Sequence, residues 1–258
     1  MDLQLKNKNA LVSGSTKGIG YAIAEVLAKE GANVIVNGRS DESTEAAAQA
    51  IGHNTRGIAA DVSTSEGCNQ LLEKAGQIDI LVNNAGIFEP KEFTDIPDED
   101  WERFYQVNVM SGVRLTRAVL PGMLERNWGR ILFVSSESGV QIPAEMIHYG
   151  MTKAANISLV NGIARLTKGT HVTVNAILPG PTASEGVSRF VEELAEEAKQ
   201  SKEEFEKDFF NHGRPTSLIQ RFAEVEEVAN TTAYYCSPLS SATNGAAIRV
   251  DGGVILGT

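Results

Sequence analysis

Ala10-Leu11-Val12-Ser13-Gly14-Ser15-Thr16-Lys17-Gly18-Ile19-Gly20 is the stretch that decides the fold. Its three apolar residues make a short strand. Glycines then turn the chain, and a helical pattern runs from Tyr21 to Lys29, with Ile23, Val26 and Leu27 at helical spacing and Gly31 as the stop. Glycines in such a turn let the backbone come close to a pyrophosphate. The helix N-terminus behind them offers free N–H groups and a partial positive charge to that anion. Gly14, Ser15, Thr16, Lys17, Gly18, Ile19 and Gly20 are therefore candidate dinucleotide-binding residues. The competing reading is a helix cap with spare glycines; the strand–turn–helix context weighs against it.

The same rhythm continues outward. Strands are expected over 33–37, 57–60, 78–82, 130–134, 172–178 and 246–250, and helices over 43–51, 66–75, 147–166 and 224–235. Pro97 with Asp98, Glu99 and Asp100 marks the start of a long helical region reaching Arg126, with a bend or break expected at Pro121-Gly122. Strands separated by helices run parallel and need crossover connections. The predicted fold class is α/β: a single Rossmann-type doubly wound parallel sheet of about seven strands, helices on both faces, and a helical substrate lid. One domain is expected over 1–258. The lid is expected at about 182–220, where the strand–helix rhythm lapses.

Composition narrows the classes of function. The chain has 258 residues, 42% of them hydrophobic, and a formal charge of −10. That is globular composition, not disordered or fibrous. An acidic chain without a basic run argues against nucleic acid as a partner. No stretch reaches the roughly 18 consecutive apolar residues of a membrane span. Cys68 and Cys236 have no metal-ligand or disulfide spacing. The polar start, Met1 to Asn9, has no apolar core of a signal peptide, so a cytoplasmic protein is expected.

Two further groups carry chemistry. After the second strand comes Asn37-Gly38-Arg39. Dinucleotide folds that select NAD place an acid here for the ribose. This chain has none. Arg39 and Lys17 are two cations able to converge on a 2′-phosphate, which favours NADP(H) and leaves NAD(H) possible. The bland reading of Arg39 is a solvated surface residue. The second group is Tyr149-Gly150-Met151-Thr152-Lys153 at a helix start. Its i, i+4 spacing puts phenol and ammonium on one face. An ammonium beside a phenol favours the phenolate, so Lys153 is expected to lower the Tyr149 pKa and tune it for proton exchange with a carbonyl/alcohol pair.

Taken in order, the motifs resemble the short-chain dehydrogenase/reductase family, in its branch of about 250 residues. The resemblance spans essentially the whole chain. It rests on the glycine loop Gly14 to Gly20, Asp61-Val62, Asn83-Asn84-Ala85-Gly86, Asn108, Ser136, Tyr149 with Lys153, Pro179-Gly180, and Val250-Asp251-Gly252-Gly253. Ser136 stands thirteen residues before Tyr149, the family's spacing. Ser13 and Ser184 keep a hydroxyl where family members carry Thr.

The resemblance implies roles. Tyr149 would be the general acid/base, Ser136 would orient the substrate oxygen, and Lys153 would bind the nicotinamide ribose. Asn108 would hold a water in a proton relay behind Lys153. Asp61 and Val62 would flank the adenine; Asn84, Ala85 and Gly86 would lie along the cofactor; Pro179, Gly180 and Thr182 would border the nicotinamide. It also implies a homotetramer or homodimer. Spacing aside, Ser135 and Ser138 compete with Ser136 as ordinary turn residues. His148, beside Tyr149, reads as a wall or surface residue.

The function expected is an NADP(H)-linked oxidoreductase that interconverts a carbonyl and a secondary alcohol, with a small-molecule partner. The alternatives are a catalytically idle dinucleotide-binding regulatory protein on the same fold, or an NAD-linked alcohol dehydrogenase. Candidate pocket residues are Ile87, Phe88, Ser138, Val140, Gln141, Ile142 and Met146. Phe190, Leu194, Phe205, Phe209 and Phe210 have two open readings: an apolar cover over the substrate, or packing of the lid helix against the body. The lid glutamates, among them Glu193 and Glu197, read as a solvated face.

Overall fold

The computed structural model describes residues 1–198 and 200–257. Within its helix at 185–198, the side chains of 189, 190, 193, 194, 197 and 198 lie outside the described set. The readings made for Phe190, Leu194, Glu193 and Glu197 fall there.

The predicted first strand, β1 (Asn9–Val12), lies inside a sheet whose pairings are all parallel. The other strands are β2 (Asn33–Gly38), β3 (Thr55–Ala59), β4 (Ile80–Asn83), β5 (Gly129–Val134), β6 (Val172–Pro179) and β7 (Ala247–Val250). Their order is β3-β2-β1-β4-β5-β6-β7. The chain winds outward from β1 to β3 and then crosses back to β4 on the other side. Connections therefore diverge above the C-terminal ends of β1 and β4, which opens a crevice at that point of the sheet.

The helices are α1 (Gly18–Lys29), α2 (Asp41–Ile51), α3 (Ser65–Ala75), α4 (Asp98–Tyr105), α5 (Ser111–Glu125), α6 (Ile147–Ala164), α7 (Glu185–Ala198), α8 (Lys202–Asp208) and α9 (Val225–Cys236). Alternation along a strand sends neighbouring side chains to opposite faces. In β1, Ala10 and Val12 pack with Ile23 and Leu27 of α1 and Ala229 and Ala233 of α9. Leu11 packs on the opposite face with Leu71 of α3, Leu115 of α5 and Val160 of α6. Both faces are covered, which is why the strands read as short unbroken apolar runs. Among the described residues no helix is long and apolar enough to cross a membrane.

Two expectations are corrected. The break in the long helical region is not at Pro121-Gly122. Pro121 lies inside α5, which continues to Glu125. Buried Leu115, Leu120 and Met123 anchor both halves of that helix, so packing overrides the hydrogen bond that proline removes. The helical region runs unbroken from α4 into α5 and only widens, at a π-turn over Gln106–Met110.

His148 is neither wall nor surface. It is fully buried, 4.1 Å between ring centroids from Phe104 and 5.9 Å from Trp101. Neither ring nitrogen has a hydrogen-bond partner among the described residues. Burial pulls its pKa below the ordinary value. The unfolded chain then binds the proton that the folded chain refuses, so stability falls as the pH drops below about 6.5. His148→Leu removes two unsatisfied polar atoms, each costing about 1–3 kcal/mol when buried. The variant is expected to melt several degrees higher and to lose most of the acid sensitivity between pH 6.5 and 5. Thermal unfolding followed against pH checks both.

Candidate active site

The C-terminal ends of neighbouring strands meet at the crevice. After β1, Ser13 Oγ accepts the backbone N–H groups of Asn84 (3.0 Å) and Ala85 (3.1 Å), which follow β4. Asn84 Nδ2 returns bonds to Ser13 O (3.0 Å) and Gly14 O (2.8 Å). Gly14 has φ +60, and a Cβ there would lie 2.9 Å from Ala85 Cα. At Gly20 a Cβ would run into Asn84 Nδ2 and Gly14 O. The two loops thus touch backbone to backbone, and only glycines allow it. Ser15 ties the glycine loop sideways to β2: its Oγ donates to Val12 O (2.6 Å) and accepts from Asn37 N–H (3.0 Å). Thr16, Lys17, Gly18 and Ile19 follow, and α1 opens at Gly18 with no side-chain cap on its first N–H groups. That leaves bare donors aimed at the crevice.

At the end of β2, a Cβ on Gly38 would sit 2.5 Å from Thr16 Cγ2, so a carboxylate side chain there would have to displace Thr16. Lys17 and Arg39 are exposed, and among the described residues neither side chain has a partner. Asp61 is exposed just beyond β3, with one oxygen accepting Ser63 N–H (3.0 Å), and Val62 beside it is buried. Pro179 ends β6. Thr182 is buried and donates to Gly180 O (2.9 Å). Ala183 N–H bonds Ala223 O (2.8 Å) and Ala223 N–H bonds Pro181 O (2.9 Å). The long segment between β6 and α9 is therefore closed at its base.

The wide turn before α5 places Asn108 where both ends of its amide are used. Its Oδ1 accepts Ile87 N–H (2.8 Å), and its Nδ2 donates to Ile87 O (2.9 Å) and to Thr152 Oγ1 (3.0 Å). The loop after β4 is thereby joined to α6. Lys153, on α6, is buried and donates from Nζ to Val134 O (2.9 Å); Nζ lies 5.5 Å from the Tyr149 ring centroid. Phe88 meets the Tyr149 ring edge-on at 6.4 Å.

The structure separates the three serines. Ser135 Oγ donates to Lys153 O (2.8 Å) and Ser138 Oγ to Glu137 (3.0 Å). Ser136 is the one that acts on the Tyr149 phenol, favouring its charged form. Of the predicted pocket residues, Ser138 is buried, whereas Val140 and Ile142 are well exposed. Phe205, Phe209 and Phe210 pack within their own segment: with Val191 and Phe222 they form a cluster of their own, Phe209 stacked on Phe222 at 5.3 Å.

The electrostatics differ from expectation. Burial pushes the Tyr149 phenol well above its ordinary pKa. The Ser136 hydroxyl opposes this, Glu137 adds to it, and Arg214 opposes it more weakly. Lys153 is not among the groups that lower it. Burial also pulls Lys153 down to about 8. Burial thus acts against the charged form of both groups, and Lys153 does not tip Tyr149 towards the phenolate.

Two residues at the site escaped the sequence reading. Glu137, between Ser136 and Ser138, is buried. Arg214, far along the chain, reaches its carboxylate at 3.3 Å. A charged residue in a turn reads as solvated, and nothing in the linear pattern joins positions so distant.

A family model described as short chain dehydrogenase matches residues 8–201. The chain is 52% identical over 260 residues to the uncharacterized oxidoreductase YvrD of Bacillus subtilis (strain 168), covering 99% of each. It is 35% identical to the 3-oxoacyl-[acyl-carrier-protein] reductase FabG of Aquifex aeolicus, covering 98% of this chain and all of that one. Among solved structures it is similar to L-sorbose reductase from Gluconobacter frateurii complexed with NADPH and L-sorbose, with TM-score 0.94, 32% identity and full coverage of both chains.

Proposed function

Starting from the premise that this chain belongs to the short-chain dehydrogenase family and is an oxidoreductase acting on CH–OH/C=O groups, we propose that it is an NADP(H)-linked carbonyl reductase with Tyr149 as the proton donor. The observation that carries the reading is the convergence of Ser136, Tyr149 and Lys153 at one end of the crevice with the unpartnered Lys17 and Arg39 at the other. Similarity to a reductase complexed with NADPH supports the same cofactor.

The cradle fits a dinucleotide. The glycine turn has no room for side chains, and the start of α1 presents uncapped N–H groups to a pyrophosphate. Lys17 and Arg39 would hold the 2′-phosphate. Asp61 and Val62 would border the adenine, and Asn84, Ala85 and Gly86 the middle of the cofactor. Lys153 would hold the nicotinamide ribose, and Pro179, Gly180 and Thr182 the carboxamide. When bound, NADP(H) supplies or receives the hydride.

The protein's part is the proton. Ser136 fixes the substrate oxygen, and Tyr149 gives it a proton from its hydroxyl. A phenol held high by burial is protonated at neutral pH, which suits reduction. In the reverse direction Tyr149 must lose its proton first, so alcohol oxidation is expected to rise steadily with pH above neutrality. Asn108 braces α6 against the loop after β4 and keeps the phenol in place.

The test is NADPH consumption by the purified protein with a ketose, a 3-oxoacyl thioester and a simple ketone. Turnover of any of them at the same site supports the reading. NADPH binding without turnover across such a panel points to the idle dinucleotide-binding alternative.

A further inference from the structure

Glu137 has no part in the chemistry above, yet it is the most constrained carboxylate near it. One oxygen accepts hydrogen bonds from the Ser136 hydroxyl, from Ser138 N–H (2.7 Å) and from Ser138 Oγ (3.0 Å). The other faces Arg214 Nε at 3.3 Å. Only 6% of the Glu137 side chain and 11% of the Arg214 side chain is exposed, so the pair is dry. Arg214 closes the π-turn Phe209–Gly213 that follows α8: its N–H bonds Phe209 O, and its guanidinium lies 5.7 Å from the Phe209 ring centroid. Glu145, just before α6, lies 3.5 Å from the same guanidinium. One ion pair therefore joins the lid to the residue beside Ser136.

A serine hydroxyl has one hydrogen. Here that hydrogen is directed at Glu137, so Ser136 presents lone pairs towards Tyr149. To donate to a substrate oxygen, Ser136 has to release Glu137. How firmly Glu137 holds that hydrogen depends on Arg214, since a guanidinium on a carboxylate competes for its charge.

We propose that Glu137 is a positioning residue for Ser136 and that Arg214 holds Glu137 in place, so that the position of the lid sets the hydrogen-bonding state of Ser136. This rests on the reading of Ser136 and Tyr149 as the reacting pair. The charged and titratable groups around Tyr149 are Lys153 on its own helix, Glu137 after β5, Arg214 from the lid and, behind Arg214, Glu145.

Two readouts test it, one of them free of substrate. Hydrogen exchange of lid peptides spanning 200–222 is measured on the full chain with NADPH. Arg214→Gln and Glu137→Gln are each expected to speed exchange there several-fold, although Glu137 lies outside those peptides. The double variant is expected to add little to either single one, as for partners in one contact. The second readout is the pH profile of carbonyl reduction with the best panel compound. Glu137→Gln keeps an oxygen for Ser136 but removes the charge beside Tyr149, so the high-pH limb is expected to move to lower pH. Arg214→Gln is expected to move it up or leave it beyond the accessible range.

Both are expected to lower kcat/KM about tenfold with NADPH affinity unchanged, and Arg214→Lys to restore part of the loss. Lid exchange unaltered in Arg214→Gln overturns the proposal, as does altered exchange with an unmoved pH profile in Glu137→Gln. Should Glu137→Gln fail to fold, the two Arg214 variants carry the test. Should Tyr149→Phe retain activity, the reading of the reacting pair fails while the exchange result still decides the lid contact.

Discussion

Tyr149→Phe is expected to lower kcat for carbonyl reduction by about 10³-fold, within the range for loss of a general acid. NADPH affinity is expected to stay within about twofold, because the change removes one oxygen and leaves the ring. The ring is held by Phe88 edge-on and by its place at the start of α6, and neither contact involves the hydroxyl. Ser136 keeps its partners Glu137 and Ser138, neither of which involves the phenol. Folding should therefore be unaffected, and thermal unfolding serves as the control. Steady-state kinetics with NADPH and fluorescence titration of the cofactor measure the two quantities separately. A variant retaining more than about a tenth of the wild-type rate would place the proton donor elsewhere.

Arg39→Asp carries the second large effect. Arg39 is exposed and its side chain has no partner among the described residues, so its replacement costs the fold little. A charge-assisted contact contributes about 1.5–3 kcal/mol, or roughly 10- to 150-fold in affinity. Aspartate also repels the 2′-phosphate and accepts hydrogen bonds from a free ribose. The ratio of kcat/KM for NADPH over NADH is expected to fall by about 100-fold or more. Lys17 stays, so some preference for NADPH remains. An unchanged ratio would remove Arg39 from the phosphate site and favour the NAD-linked alternative.

The parallel sheet, its seven strands and the place of the crevice were legible in the chain's local pattern. These follow from local rules: apolar runs separated by helical spacing admit only crossover connections, and a glycine turn between strand and helix leaves space for a pyrophosphate. The pairing of Tyr149 with Lys153 was legible for the same reason, since four residues along a helix share a face.

Interactions between distant positions were not legible. Packing on both sides of Pro121 keeps α5 whole, and the wide turn at Gln106–Met110 aims Asn108 at Ile87 and Thr152. Phe104 and Trp101 enclose His148, and the pKa values of Tyr149 and Lys153 follow burial more than each other. Glu137 and Arg214 are each ordinary surface types in sequence. Only tertiary structure buries them together, because the energy of a charge is set by what surrounds it in space and not by its neighbours in the chain.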